Sequence, residues 1–463
     1  MQVTYLQKYT YEVANMGYNI FLTGDAGTGK SFIINKYIKD KEKQGYNVMK
    51  LASTGIAASN INGVTIHKEF KLPTGVLSNK LASYDDIDEC LIESDIIVID
   101  EISMCRVDLF DFVANKILRA NSIRKNRGYK ILQFIVVGDF FQLPPVITEY
   151  DKNALDKIYG HDIGSGFAFQ SKFWNMFEFK NIILTEVIRQ SNREFLTQLN
   201  KLRIGDKSSL DYFYNNSNKN EIEGAITICS KNSEVAEINN RELNKISGDA
   251  VEYRAILNGD VNYNDTVAEF NLVLKPNARI MMLVNQSSYN NGTFGFVKEL
   301  NKDYIMVQLD SGIIEKIERY TWEIYKYDII DETESTENKK KLTKRVVGTL
   351  EQFPVKLAYA ITIHKSQGQT YDYVNLSPYC WDCGQLYTAL SRVKSLSNMY
   401  IKYDIDTRYA VIALSVVKFH NEMVKTANQT VQPMQNEENN TKHKDKDIQN
   451  DMDTIQNLLR DLK

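Results

Sequence analysis

Gly24-Asp25-Ala26-Gly27-Thr28-Gly29-Lys30-Ser31 follows the apolar run Asn19-Ile20-Phe21-Leu22 and precedes a helical stretch, Phe32–Ile38. The order is strand, loop, helix, and the loop is a complete G-x-x-x-x-G-K-S. Gly24, Gly27 and Gly29 let backbone N–H groups, those of Ala26 and Thr28 among them, close around a polyphosphate. Lys30 offers the outer phosphates a point charge, and the Ser31 hydroxyl is placed to hold Mg²⁺ at the mouth of the helix. A glycine-rich turn that binds nothing is the competing reading, and the acids further along the chain argue against it.

Ile96-Ile97-Val98-Ile99 reads as a buried strand ending in Asp100-Glu101-Ile102-Ser103. Two acids at the carboxyl end of such a strand suit two tasks: Asp100 holds Mg²⁺, and Glu101 takes a proton from the water that attacks the γ-phosphate. A third buried strand, Phe134–Val137, runs into Gly138-Asp139-Phe140-Phe141-Gln142-Leu143-Pro144-Pro145. Gln142 carries both a donor and an acceptor and suits a γ-phosphate sensor, while the prolines stiffen the segment that would relay the change. Gln7, in the helical stretch Tyr5–Met16, is either an adenine-edge reader or a surface glutamine. Arg189, in Thr185–Gln190 after the strand-like Ile182–Leu184, and Arg392, in Gly384–Val393, are candidates for charge stabilisation at the γ-phosphate. For Arg189 an ordinary surface position is the alternative.

Two further stretches have the chemistry of a seat for a single nucleic-acid strand. After the strand Tyr46–Ala52 come Ser53-Thr54-Gly55 and then Thr65–Phe70, where His67 and Phe70 offer stacking surface; a plain turn with a partly buried aromatic is the alternative. Thr362, His364, Lys365, Ser366, Gln367 and Gly368 bring donors for strand phosphates and, at Gly368, for a neighbouring nucleotide.

The chain has 463 residues, enough for about three domains. With 43% hydrophobic and 25% charged residues it is ordinary for a soluble globular protein, and no apolar run approaches the ~20 residues of a membrane span. The start, Met1-Gln2-Val3-Thr4-Tyr5, lacks an export signal, and five cysteines in so long a chain read as reduced thiols, so a cytoplasmic setting is expected. Cys380-Trp381-Asp382-Cys383, with no second ligand pair, reads as a loop and not a zinc site. A net charge of −3 excludes a globally basic nucleic-acid coat but allows a confined positive groove. Short β-type runs between about Leu272 and Val347, broken at Asn290-Asn291-Gly292 and Asp310-Ser311-Gly312, read as a small β-barrel inserted in an α/β lobe. Asp331–Arg345, acidic first and then basic at Lys339, Lys340, Lys341, Lys344 and Arg345, reads as a solvated loop, a DNA-facing role for the lysines being the alternative, and Asn428–Lys446 as a disordered linker. Ile448, Met452, Ile455, Leu458, Leu459 and Leu462 form one face of a terminal amphipathic helix that would dock on the body or on a protein partner.

Set side by side, these segments resemble the Pif1 family of superfamily 1 helicases, with its Dda and RecD-like relatives, over about Thr4 to Lys425. Gly24–Ser31 looks like motif I, Ser53–Ala58 motif Ia, Val98–Met104 motif II, Gly138–Pro145 motif III, Leu184–Gln190 motif IV, Ala360–Thr370 motif V and Tyr387–Val393 motif VI. The ordered set is far more specific than any one motif. The resemblance implies an α/β fold of two RecA-like lobes: 1–183, with a short wedge at about 68–90, and 184–271 with 348–425. An SH3-like insertion would occupy 272–347 and the linker and helix 426–463. It implies ATP in the cleft between lobes, Mg²⁺ on Ser31 and Asp100, and a monomer moving 5′ to 3′ on single-stranded DNA and opening forked or tailed duplexes in replication, recombination or repair. Arg189 and Arg392 become the γ-phosphate arginines, and Thr362, His364 and Ser366 DNA contacts. The setting would be a bacterial or phage-infected cytoplasm or the nucleoid. The alternative is an ATP-gated clamp that grips DNA without separating strands.

Overall fold

The structure, a computed structural model, describes residues 3–72, 75–77, 88–187, 192–262, 266–289, 291–331 and 340–425. Strands covered on both faces have to be buried along their whole length. Four strands of the first lobe meet that condition at every residue: β1 (Ile20–Gly24), β2 (Val48–Ala52), β4 (Ile96–Asp100) and β5 (Gln133–Val137). The short β3 (Val64–Thr65) and the half-buried β6 (Lys180–Leu184) complete a parallel sheet in the order β3–β2–β4–β5–β1–β6. Because β4, β5 and β1 are neighbours, the loops that leave their carboxyl ends share one edge of the sheet. Those loops are Glu101–Ser103, Gly138–Gln142 and the phosphate loop.

The second lobe has its own parallel sheet, in which Ile226–Cys229 lies between Ala360–Thr362 and Val374–Leu376, with Met399–Ile401 outside. Residues from both sheets, such as Phe21 and Phe134 of the first and Ile228 and Leu376 of the second, belong to one continuous core. A helix over residues 414–425 returns to the first lobe. There Phe419 stacks on Phe169, centroids 4.3 Å apart and planes at 10°, and meets Phe21, Phe140 and Trp174. Full burial of such a ring contributes about 1.5–3 kcal/mol, and the partly buried Phe419 contributes a share of it.

Antiparallel pairing occupies the stretch between the two halves of the second sheet. Ile314–Glu318, Tyr304–Leu309, Phe294–Leu300, Arg279–Met282 and Val355–Leu357 form a five-stranded sheet in that order, over a separate core of Leu272, Leu274, Ile280, Val297, Val307 and Phe353. Asn271–Leu274 pairs with Val251–Arg254 beside it. These strands reach from Val251 to Leu357, wider than the span that turn signals mark out. The reading of Asp331–Arg345 as a loop is corrected at Asp331 and over 340–345, which lie in strands, while 332–339 lie outside the described residues. Tyr320–Asp331 and Lys340–Gln352 form a long antiparallel ribbon, with Ile256–Gly259 on its other edge. Its polar composition hid it, because a two-stranded ribbon draws on backbone pairing and needs no apolar alternation. The tail 426–463 and most of the expected wedge at 68–90 lie outside the described residues.

Candidate nucleotide and strand sites

The phosphate loop is built on glycine geometry. Gly27 and Gly29 have φ of 83° and 81°, and a Cβ at Gly24 would lie 2.3 Å from the Leu184 carbonyl oxygen, so a side chain there would push β6 away. The Thr28 hydroxyl closes the turn by donating to Asp25 O at 2.9 Å. Lys30 Nζ donates to Gly24 O at 2.8 Å and Asp25 O at 3.1 Å. Burial holds the Lys30 ammonium below the usual lysine range, against the pull of Asp139 and Glu101. A half-buried cation gains more from an arriving phosphate than a fully exposed lysine would.

Ser31 Oγ lies 3.5 Å from Asp100 Oδ2. Asp100 is pushed up to about 7, first by burial and then by the neighbouring Glu101. A carboxylate that is dry, crowded by like charge and faced by a hydroxyl suits a hard divalent cation, so Mg²⁺ fits these two residues. Glu101 adopts φ 51°, ψ 50°, a left-handed conformation that costs a non-glycine residue about 1–3 kcal/mol. That turn leads its side chain into the cleft, where Gln367 of the second lobe donates Nε2–H to Glu101 Oε2 at 3.0 Å. A Cβ at Gly368 would stand 3.8 Å from Glu101 Oε1, which puts this glycine beside the acid as well. Gln142 donates to Asp139 Oδ2 at 3.3 Å. Burial raises Asp139, but Arg203 and Lys30 outweigh it and hold the carboxyl below the usual range.

Two candidate residues, Gln7 and Arg392, are engaged within the fold. Gln7 is fully buried; its amide donates to Thr28 O at 3.0 Å and accepts from Thr4 N at 3.2 Å, so it docks the first helix on the phosphate loop and presents no edge to a base. Arg392 is 1% exposed and turned into its own lobe. Its guanidinium donates to the carbonyls of Thr388 at 2.7 Å, Ser366 at 3.0 Å and Gln369 at 3.2 Å, and to Ser391 Oγ at 2.7 Å. Among the described residues these acceptors engage four of its N–H groups. Arg189 lies outside the described residues.

The strand-facing candidates divide. Thr54 and Thr362 cap short helices, accepting from Ala57 N and Lys365 N at 3.3 Å each, and the buried Ser366 donates to Ile363 O at 2.7 Å. Their side chains serve the backbone, and Ser366 is closed off from a strand by burial. Ser53 donates to Glu101 O at 3.2 Å, which ties its stretch to the acid pair. Phe70 is half-buried and packs edge-on against Phe112, centroids 5.7 Å apart. His67 and His364 are half-buried and Lys365 is exposed. Burial lowers the His364 imidazole pKa. Gly55 opens onto a cleft of about 260 Å³ between Ala58, Thr65 and Lys68 of the first lobe and Tyr320 and Trp322 of the ribbon.

The profile of the PIF1-like helicase family matches residues 2–210, and that of the UvrD-like helicase C-terminal domain residues 357–400. The chain is 30% identical over 441 residues to the ATP-dependent DNA helicase Pif1 of Campylobacter jejuni, covering 88% of this chain and 94% of that one. The chain belongs to the Pif1-like helicase family. It is 29% identical to human ATP-dependent DNA helicase PIF1, of whose length it spans 58%. Among solved structures, Bacteroides sp. Pif1 in complex with ADP-AlF4 superposes with a TM-score of 0.76 at 30% identity, covering 92% of this chain and 98% of that one. Bacteroides Pif1 bound to single-stranded DNA gives 0.65, at 30% identity and coverage of 91% and 97%.

In this Pif1-like chain two residues that complete the cleft, Tyr387 and Arg203, carry no pattern signal of their own, while Gln367, a candidate strand-phosphate donor, meets Glu101. Tyr387 Oη accepts from Ala26 N at 3.1 Å, so a helix of the second lobe touches the phosphate loop. Arg203 pairs with Asp25 and Asp139 at 3.2 and 3.0 Å. Its neighbours supply one. Phe195, Leu199 and Leu202 mark the buried stripe of their helix, and position 203, four after Leu199, continues that stripe.

Proposed function

We infer that this chain is an ATP-dependent DNA helicase that travels 5′ to 3′ along single-stranded DNA and opens forked or tailed duplex, as a monomer in a bacterial cytoplasm or nucleoid. The observation that carries the reading is the Gln367–Glu101 hydrogen bond: the residue placed to activate water is held by the stretch of the second lobe that also bears the strand-facing candidates. Water activation can then respond to where the second lobe stands, which is what a motor driven by its track requires. No helix among the described residues is long and apolar enough to cross a membrane.

In this reading the two parallel-sheet lobes are RecA-like and the antiparallel stretch is an SH3-like insertion. The phosphate-loop N–H groups and Lys30 bind and orient the triphosphate, and Glu101 accepts the proton of the attacking water. Gln142 reports the γ-phosphate. Ser31 and Asp100 would hold Mg²⁺, which supplies positive charge to the phosphate oxygens. His364 and Lys365, with the cleft at Gly55, receive the strand. The test is unwinding of paired duplexes bearing a 5′ or a 3′ single-stranded overhang. Strand release with the 5′ overhang and little with the 3′ one is expected. Release from the 3′ overhang alone reverses the direction, and ATP-dependent binding without release from either leaves a clamp.

A further inference from the structure

Arg203 ends the helix Arg193–Arg203, which packs on the second-lobe helix Gln385–Leu390, yet its side chain reaches the first lobe. One guanidinium nitrogen meets Asp25 Oδ1 of the phosphate loop at 3.2 Å and the other Asp139 Oδ1 at 3.0 Å. The guanidinium carbon stands 4.2 Å from the centroid of Phe141, in the loop that carries Gln142. The side chain is 7% exposed, and its Nε, also buried, has no hydrogen-bond partner among the described residues. Asp139 holds the Gln142 amide with its other oxygen. His420, of the helix over residues 414–425, also packs against Phe141, ring centroids 5.2 Å apart, so this loop touches two elements of the second lobe.

We propose that Arg203 is a positioning residue through which strand binding to the second lobe sets the phosphate loop and the γ-phosphate sensor. The proposal rests on the helicase reading above. A planar fork bridging two carboxylates on different loops fixes their separation, as a single ammonium would not. When the second lobe shifts, the fork shifts with it, Asp139 follows, and the Gln142 amide is re-aimed. The carboxylates make this possible: an arginine held by carbonyls of its own lobe, as Arg392 is, cannot carry such a movement across the cleft.

The experiment measures ATP turnover with and without single-stranded DNA for the parent chain, Arg203→Gln, Arg203→Lys, Asp25→Asn and the Arg203→Gln/Asp25→Asn double variant. In Arg203→Gln the stimulation by DNA is expected to fall tenfold or more through kcat, with KM for ATP within about threefold of the parent. Arg203→Lys, which restores charge but not the fork, should recover part of it. Asp25→Asn should lose stimulation too, and the double variant should be no worse than Arg203→Gln, since both remove one connection. Stimulation within twofold of the parent in Asp25→Asn overturns the proposal even if Arg203→Gln fails to fold. Fully additive losses in the double variant overturn it as well. A parent whose hydrolysis DNA does not stimulate sinks the helicase reading, and the proposal with it; a stimulated parent with unaffected variants sinks the proposal alone.

Discussion

The body of the two lobes and the antiparallel module between the halves of the second are held together in different ways. The lobes share one apolar core and meet through buried or half-buried polar contacts at Gln367–Glu101, Tyr387–Ala26 and Arg203–Asp139. The module closes mainly over a core of its own, although Met281 and Phe294 of its sheet pack into the core of the lobes. Polar links join it to the body, among them Lys68 Nζ to Asp260 Oδ2 at 2.7 Å and the Arg279 N–H to Tyr359 Oη at 2.8 Å. A shared core makes movement of one lobe felt in the other. A module whose core is mostly its own is coupled to the chemistry less directly.

The largest effect should come from the middle of the shared body. Glu101→Gln keeps the shape of the side chain, so ATP should stay bound while turnover falls about 10²-fold or more, the scale of a general base. Lys30→Ala should lose binding and turnover together, because Lys30 meets phosphate already in the ground state. Nucleotide-binding fluorescence beside single-turnover hydrolysis separates the two variants, and near-normal hydrolysis by Glu101→Gln would reassign the base.

Arg392→Ala sharpens the contrast within the body. Removing a buried guanidinium that serves three carbonyls should cost about 2–4 kcal/mol of stability, read as a lower urea midpoint. An unchanged midpoint with lost turnover would instead return Arg392 to the γ-phosphate. Replacing about Asn285–Thr349 by a short linker addresses the module. Unwinding should fall about tenfold, equivalent to 1.4 kcal/mol, while DNA-stimulated hydrolysis stays within about threefold. Equal loss of both in a folded variant would abolish the distinction between body and module.

The smallest effect is expected at the end of the chain. Truncation after Lys425 keeps the Phe419 stack on Phe169 and should leave turnover within about twofold of the parent, less than 0.5 kcal/mol. A truncation that also removes residues 414–425 should do more, since it strips an aromatic ring from the first lobe's core.

Much of this protein was written locally. The phosphate loop, the acid pair after β4 and the Gly138–Pro145 loop are short runs whose chemistry depends on neighbours within a few residues, so spacing and residue type sufficed to find them. Alternation and turn residues likewise betray the antiparallel sheet, but miss the ribbon of Tyr320–Asp331 and Lys340–Gln352, whose pairing is carried by the backbone. Which arginine crosses the cleft was beyond the sequence. Arg203 and Arg392 both follow apolar helical faces, and nothing local says that one meets carboxylates of the other lobe while the other turns back on carbonyls of its own. The same holds for Gln7, Thr362 and Ser366, whose residue types suit a ligand but whose donors and acceptors are engaged within the fold. A side chain's type is a property of sequence, whereas its partner depends on which distant segment packing brings within about 3 Å. That choice was made by the tertiary structure.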